Sequence, residues 1–193
     1  MRFEFLEGLV RIANAKYKET GAAATVTESF KMLLDECISE NFEFQPWQEF
    51  RNEQLWTLKV QDVFHANLDG IRRLMTAYLE PGKKIFKLLD ALRMFCKDTA
   101  CGISENEFYY CYGMSKMTVP KESMSHYNYF TVQLAEFMEL IGRLAEFKYR
   151  ETSGLGLHEK IEFLLDIVFQ LVGFARVSVN INIEDESASD DEY

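Results

Sequence analysis

The sequence predicts an all-α protein, and three observations lead to that prediction. Proline is rare, with 3 among 193 residues, so few positions would interrupt a helix. Apolar residues recur with the 3.6-residue period of an amphipathic helix along most of the chain. The body of the chain lacks the sustained alternation of Val, Ile and Thr that half-buried strands require. Hydrophobic residues make up 48% of the chain, which is enough apolar surface to build a folded core.

One helical segment occurs twice in the chain. Residues 4–20 and 136–152 are identical at nine of 17 aligned positions, whereas chance would give roughly one identity. The identical residues are Glu, Phe, Glu, Arg, Ala, Lys, Tyr, Glu and Thr, in that order. The sequence therefore contains an internal repeat, and we expect both copies to form the same kind of amphipathic helix.

The N-terminal part is predicted to form two helices. The first covers residues 2–18, and residues 21–25 form a linker of small side chains. Thr27 is a suitable N-cap for a second helix over residues 28–39. Residues 41–46 end in proline, so they should break this helix. The predicted buried face of the first helix consists of Phe5, Leu9, Ile12, Ala13 and Tyr17.

The middle of the chain is predicted to hold one long helical stretch and two shorter helices. The long stretch runs from Trp47 or Glu53 to residue 79, with a joint at residues 67–70, and the Pro-Gly dipeptide at 81–82 terminates it. A short extended piece at residues 85–86 leads into the next helix, over residues 88–97. The side chains of that helix predicted to face inward are Leu89, Leu92, Met94 and Phe95.

A capping box marks the start of the following helix. Ser104 is followed three residues later by Glu107, the spacing at which each side chain bonds the backbone N–H of the other, and this predicts a helix over residues 105–117. Residues 118–129 are predicted as a loop, and residues 130–132 as a short extended piece before the second copy of the repeated helix.

The C-terminal part is predicted to end in a helix, an extended segment and a tail. Glycines within 154–156 turn the chain into a last helix over residues 158–173. Residues 177–183 alternate, which predicts an edge strand or an extended segment docked on the body. Residues 184–193 carry six acidic side chains, and we expect this tail to be disordered because it has little apolar surface to bury.

We divide the chain into three regions from these patterns. Residues 1–52 hold the N-terminal repeat helices, residues 53–176 hold paired helices and the C-terminal helix, and residues 177–193 hold the extended segment and the acidic tail.

The net charge of −10 disfavours a nucleic-acid partner, and no run approaches the roughly 18 apolar residues of a membrane span. With no secretory signal, we expect the four cysteines to be reduced in the cytoplasm.

The region around the second copy resembles an EF-hand of the calmodulin type. That family has a twelve-residue loop with an aliphatic residue at position 8 and Glu at position 12, followed by an exit helix that begins with Phe. Val132, Glu136 and Phe137 fit these positions, and residues 86–90 fit a second loop upstream by 132 − 86 = 46 residues. The resemblance implies paired helix-loop-helix units whose loops meet in short β contacts at Phe86 and Val132. It also implies that the first copy is an exit helix.

The resemblance does not extend to calcium binding. Calcium takes about six to eight oxygen ligands, drawn from loop positions such as 1, 3, 5 and 12, with Gly at position 6. In the later loop only Glu136 remains of that ligand set, and the earlier loop places Lys83 and Lys84 at positions 5 and 6. We therefore expect no metal ion and no cofactor, with the pairing held by apolar packing.

No catalytic pattern is present in the sequence. Cys96, Cys101, Cys111 and His126 have the residue types of a zinc site, but CxxC and HxxxH spacings are missing, so ordinary thiols are the better interpretation. The three histidines are dispersed and have no matching nucleophile motif. Neither GxGxxG nor GxxxxGK[ST] occurs, so a nucleotide site has no support. The sequence predicts a protein that is not an enzyme.

A region rich in tyrosine and methionine is the candidate surface for a protein partner. The same side chains could also belong to the core, and the sequence leaves that alternative open. The candidate partner-binding residues are Phe108, Tyr109, Tyr112, Met114, Met117, Tyr127 and Tyr129.

The resemblance also implies a kind of function. Divergent EF-hand proteins of this style are similar to structural and regulatory subunits of cytoskeletal assemblies, including those of cilia and flagella. It implies a cytoplasmic interaction or scaffold module that binds a helical or filamentous protein without metal. The alternative is a calcium-responsive regulator with a non-standard loop.

Overall fold

The computed structural model describes residues 2–39 and 47–179, and these residues are mainly α-helical, as the sequence predicts. Short π-helical or 3₁₀ turns extend several of the helices. The α-helices are α1 (Arg2–Ala13), α2 (Val26–Leu33), α3 (Trp47–Glu49), α4 (Leu58–Ala66), α5 (Leu68–Ala77), α6 (Leu88–Arg93), α7 (Glu105–Ser115), α8 (Glu122–Ser125), α9 (Leu134–Lys148) and α10 (Leu157–Val168). The chain forms two compact units: a smaller one from the described residues of 1–46 with 120–126, and a larger one from those of 47–119 and 127–193.

The smaller unit is built on the contact between α1 and α2. Thr25 caps α2, because its side-chain oxygen accepts the Glu28 backbone N–H at 3.1 Å. Thr27 was predicted as this cap and instead lies in the first turn, so the helix begins two residues earlier than predicted. The buried apolar residues of this unit are Ala13, Tyr17, Ala23 and Leu33, with Leu9 half-buried beside them.

The predicted buried face of α1 is wrong at two of its five positions. Ala13 and Tyr17 are buried, but Phe5 is 67% exposed and Ile12 is 56% exposed. The buried cluster that includes α2 lies at the C-terminal end of α1, so Phe5, near the N-terminus of α1, keeps its contact with solvent. Ile12 precedes the buried Ala13 but lies about 100° away around the helix, so it faces solvent instead of the cluster.

The larger unit packs around α9, which contacts both α7 and α10. Helix α9 is buried on most of its surface, including three charged residues. Five phenylalanines from different parts of the chain are almost fully buried in this core: Phe64, Phe95, Phe108, Phe137 and Phe169. The predicted boundary at residues 52–53 falls inside the helical turns of Phe50–Leu55, within this unit.

A buried asparagine explains the joint between α4 and α5, which the sequence predicts. The Asn67 side chain donates to the Val63 carbonyl and to the Val177 carbonyl, each at 2.9 Å. Its amide oxygen accepts the Val177 backbone N–H at 2.8 Å. The segment around Val177 is therefore docked on the body by Asn67, and its described part forms no strand. The remainder of 177–183, the acidic tail and the predicted break at 41–46 lie outside the described residues.

Three other predictions meet a clear outcome. The capping box is confirmed, because Ser104 Oγ accepts the Glu107 N–H at 3.3 Å and the Glu107 carboxylate accepts the Ser104 N–H at 2.8 Å. Leu89 was predicted to face inward but is 65% exposed, since Ala91 and Leu92 supply the buried side of α6. The predicted loop at 118–129 contains α8 and the start of a 3₁₀ turn, His126–Phe130.

Within the described residues, no helix is both long and apolar enough to cross a bilayer.

Candidate functional site

Two extended segments of the larger unit meet just before α9. Lys87 and Thr131 form a single antiparallel bridge, and the Val132 N–H donates to the Phe86 carbonyl at 2.8 Å. The side chains of Phe86 and Val132 are both buried. The backbone therefore joins these segments, which lie 46 residues apart, while an EF-hand origin for them stays a prediction.

An aromatic layer lies beneath this bridge. The ring of Phe137, in the first turns of α9, packs edge-on against Phe86 with centroids 5.2 Å apart and lies 6.0 Å from Phe95. Phe95 in turn lies 6.3 Å from Phe108 of α7. Centroid distances of this size are favourable for aromatic pairs and add to the burial of the rings. Apolar contacts thus connect the two segments to α7 and α9.

A lysine ammonium closes the later segment from the side of α7. Lys116 follows directly after α7, and its Nζ donates to the Thr131 carbonyl at 2.7 Å and to Glu136 Oε2 at 2.8 Å. The side chains of Lys116 and Glu136 are only 8% and 4% exposed. The Glu136 carboxylate also accepts the backbone N–H groups of Gln133 at 2.9 Å and Met117 at 3.1 Å. Its buried charge is therefore paired with a cation and fully hydrogen-bonded.

A tyrosine one turn earlier on α7 completes this closure. The Tyr112 hydroxyl donates to the Tyr129 carbonyl at 2.6 Å, and burial, with a smaller contribution from Glu136, raises the pKa of Tyr112 well above its ordinary value. In the predicted loop numbering, Thr131 and Glu136 are positions 7 and 12, which supply a backbone carbonyl and a carboxylate to calcium in an EF-hand. Lys116 thus donates to one oxygen at each of these two positions, and Tyr112 donates to the backbone carbonyl of position 5.

Sequence reasoning missed Lys116. Tyr112 and Lys116 are spaced i, i+4, so they project on the same side at the end of the helix that precedes the loop. That spacing, together with a glutamate in the first turn of the next long helix, was the available signal. Lys116 and Glu136 lie 20 positions apart in the sequence, so helical periodicity could not connect them.

A second buried carboxylate on α9 is held in a similar way. Glu139 accepts Arg51 Nε at 2.8 Å and Arg143 Nε at 2.9 Å. The Arg143 guanidinium lies 4.7 Å from the centre of the Phe50 ring and donates to the Trp47 carbonyl at 2.8 Å. These contacts hold the helical segment 47–55 against α9. Glu136 and Glu139 therefore each form a buried ion pair that holds a neighbouring part of the chain against α9.

The seven predicted partner-binding residues divide between the core and the surface. Phe108 is fully buried and Tyr112 is 9% exposed, so both serve the interior. Met114 and Tyr129 are half-buried. Tyr109, Met117 and Tyr127 are 44%, 48% and 56% exposed. The structure therefore leaves three of the seven side chains available on the surface.

An open groove of about 680 Å³ lies between α5 and the paired segments. Sequence reasoning did not find it, because its lining comes from three separate stretches of the chain. Its apolar residues include the buried Phe86 and Val132, and its basic residues are Arg72 and Lys84. Ile85 and Tyr127, which are 53% and 56% exposed, also line it. The groove combines an apolar surface with positive charge.

The residues considered for a zinc site do not converge. Cys101 and Cys111 are buried thiols, and Cys96 is half-buried. Burial raises the pKa of the Cys111 thiol to about 12 and also raises the pKa of Cys101. Over the described ranges, no three side chains of His, Cys, Asp or Glu are arranged to hold a metal ion.

The remaining cysteine has a different environment in the smaller unit. Lys16 Nζ donates to Cys37 Sγ at 3.0 Å, and the Tyr17 hydroxyl lies 3.6 Å from the same sulfur. The hydrogen bond from Lys16, followed by the contact with the Tyr17 hydroxyl, lowers the pKa of the Cys37 thiol. The pKa is lowered at Cys37 and raised at the other three cysteines, so Cys37 is the thiol that ionises most readily.

Comparison of the chain with protein-family models, with curated proteins and with solved structures finds no match. Its function is therefore inferred from the contacts described above.

Replacing Lys116 with methionine should destabilise the protein strongly. Lys116→Met keeps the aliphatic stem but leaves the buried Glu136 carboxylate without its cation, which costs about 3–5 kcal/mol of unfolding free energy. Urea unfolding at neutral pH measures the loss. Lys87→Met is the matched control: the Lys87–Glu80 pair is 43% and 54% exposed, so its removal should cost only about 0–1 kcal/mol. Equal losses in the two variants would contradict the assigned role of Lys116.

Cys37 should react first with iodoacetamide at neutral pH. Its lowered pKa places the onset of the reactive thiolate at a lower pH than for an ordinary thiol. The rate of labelling, followed by peptide mass spectrometry against pH, should shift to higher pH in Lys16→Met, which removes the main hydrogen bond. Cys111, with its raised pKa, serves as the internal control and should stay unlabelled in the folded protein. An unchanged pH profile in Lys16→Met would show that Lys16 does not activate Cys37.

Proposed function

We propose that this chain is a non-enzymatic, metal-independent protein-interaction module that serves as a scaffold in a cytoskeletal assembly such as that of a cilium or flagellum. In this proposal its paired segments derive from EF-hand-like helix-loop-helix units. One observation carries the proposal: the Lys116 ammonium lies between the Thr131 carbonyl and the Glu136 carboxylate.

The position of Lys116 supports independence from calcium. A calcium ion that used Glu136 would have to displace the ammonium, break a buried ion pair and leave Lys116 close to a second positive charge. It would also compete with the N–H groups of Gln133 and Met117 for the same carboxylate. The chain's own atoms hold the segment before α9 in place, so its surface should have the same conformation with and without calcium.

The groove supports an interaction with a protein. Its apolar lining suits the apolar face of an amphipathic helix, and Arg72 and Lys84 suit acidic residues beside that face. Ile85 and Tyr127 expose large apolar surfaces at the same place. The expected partner is therefore a helical or filamentous protein with an acidic, amphipathic segment. The cytoskeletal setting itself rests on the resemblance to divergent EF-hand proteins.

Affinity capture with groove variants tests this function. The full chain should retain filament components from an extract equally well in excess calcium and in excess EGTA. Ile85→Asp places a negative charge beside the groove and should abolish retention, because it repels the acidic partner and disrupts apolar contact. Leu58→Asp is the matched control, since Leu58 is 72% exposed and does not line the groove.

Two outcomes would contradict the proposal in different ways. Retention of metabolic enzymes alone, without a filament component, would reject the scaffold role. Retention only in calcium would favour a calcium-responsive regulator over a constitutive module.

A further inference from the structure

The groove between α5 and the paired segments lies in a basic part of an acidic protein. Residues 68–87 carry five basic and two acidic side chains, whereas the whole chain has a net charge of −10. Glu80, one of the two acidic residues, is already paired with Lys87 at 2.9 Å. The remaining positive charge of this stretch therefore needs acidic groups from elsewhere.

The positive charge lies along two neighbouring grooves that share Arg72 of α5. The groove already described, of about 680 Å³, is also lined by Lys84, and a second groove of about 670 Å³ is lined by Arg73 and by the acidic Asp69. The Arg73 guanidinium lies 5.3 Å from the centre of the Phe174 ring. Over the described ranges, Arg72, Arg73 and Lys84 form no ion pair with a carboxylate. Three unneutralised cations thus follow one side of α5.

The segment that leads into the acidic tail is attached beside the same helix. Asn67, directly before α5, holds the backbone of Val177 through hydrogen bonds of 2.9 and 2.8 Å. Glu184 follows Val179 by five residues, which can span about 17 Å. Helix α5 has ten residues and is about 15 Å long. The acidic stretch that begins at Glu184 is therefore within reach of the basic side chains along α5.

The composition of the tail matches this surface. Residues 180–193 contain six acidic side chains and no basic one. Ile181 and Ile183 precede the acidic stretch, and the groove offers apolar side chains such as Ile85 beside its cations. Both the charge and the apolar residues of the tail thus have counterparts in the lining.

We propose that the acidic tail, residues 184–193, binds the basic groove of its own chain and competes there with the acidic segment of the partner. This inference rests on the proposed function and deepens it by naming an internal regulator of the same groove. Opposite charges attract the tail to the groove, and its short connection gives an effective concentration on the order of millimolar. At micromolar protein, the tail of the same chain is therefore favoured over that of a second copy.

Carbodiimide cross-linking tests the contact directly, because it joins a lysine amine to a carboxylate without a spacer. An equal mixture of unlabelled and ¹⁵N-labelled full chain is treated at low salt, digested and analysed by mass spectrometry. The expected product joins Lys84 to a carboxylate of residues 184–193, and its two peptides are both labelled or both unlabelled. Lys97, which is 59% exposed and does not line the groove, is the internal control and should give less of this product.

A charge reversal in the groove should remove the cross-link. Arg72→Glu should lower the yield at Lys84 at least about tenfold, because it replaces an attraction with a repulsion. Arg150→Glu, the same change at an exposed residue outside the groove lining, should leave the yield unchanged. Equal yields at Lys84 and Lys97, products that pair a labelled with an unlabelled peptide, or an unchanged yield in Arg72→Glu would overturn the inference.

Affinity capture separates this inference from the proposed function. Removing the charge of the tail should increase the retention of filament components, and unchanged retention would show that the tail does not compete. A cross-link at Lys84 without any retained filament component keeps the tail contact and rejects the scaffold role. Retention that Ile85→Asp abolishes, without a cross-link at Lys84, keeps the groove and rejects the tail contact. The tail substitutions are Glu184→Gln, Asp185→Asn, Glu186→Gln, Asp190→Asn, Asp191→Asn and Glu192→Gln.

Discussion

The buried contact between the Lys116 ammonium and the Glu136 carboxylate connects the three parts of the larger unit that meet at the candidate site. Lys116 extends from the end of α7, Glu136 lies in the first turn of α9, and Thr131, the third member, belongs to the paired segment between them. Such a pair adds little net stability, because both charges lose their hydration. Its effect is to make any arrangement that separates Lys116 from Glu136 costly, which fixes the geometry of the segment.

The other acidic side chains of α9 are also paired with cations. Glu139 is neutralised by Arg51 and Arg143, and Lys160 of α10 reaches Glu146 at 2.9 Å. Each of these carboxylates thus meets a cation from another part of the fold, in one case alongside one from α9 itself. Within the described residues, the buried side-chain nitrogen and oxygen atoms all have hydrogen-bond partners. A helix satisfied in this way is a firm support, and the backbone bridge and aromatic contacts beside it shape the lining of the groove.

Local features of the fold could be predicted from the sequence, whereas most long-range contacts between side chains could not. Periodicity and capping rules predicted the helical class and the Ser104 capping box, since each depends on residues within a few positions. They also predicted the joint at Asn67, but not the bonds from its side chain to Val177. They failed at Phe5 and Leu89, where exposure depends on which element packs opposite. The internal repeat correctly indicated two like helices but carried no information about their neighbours. The role of Lys116 depends on a partner 20 residues away, and no local rule connects the two.

The Lys116 ammonium donates to two oxygens, the Thr131 carbonyl and the Glu136 carboxylate, which the resemblance aligns with positions 7 and 12 of an EF-hand loop. A high-resolution structure from crystals grown in excess calcium tests this arrangement most directly. We expect Lys116 Nζ to remain within hydrogen-bond distance of the Thr131 carbonyl and the Glu136 carboxylate, with no calcium density among those oxygens. A calcium ion coordinated by Glu136, with the Lys116 side chain turned out to solvent, would contradict the account.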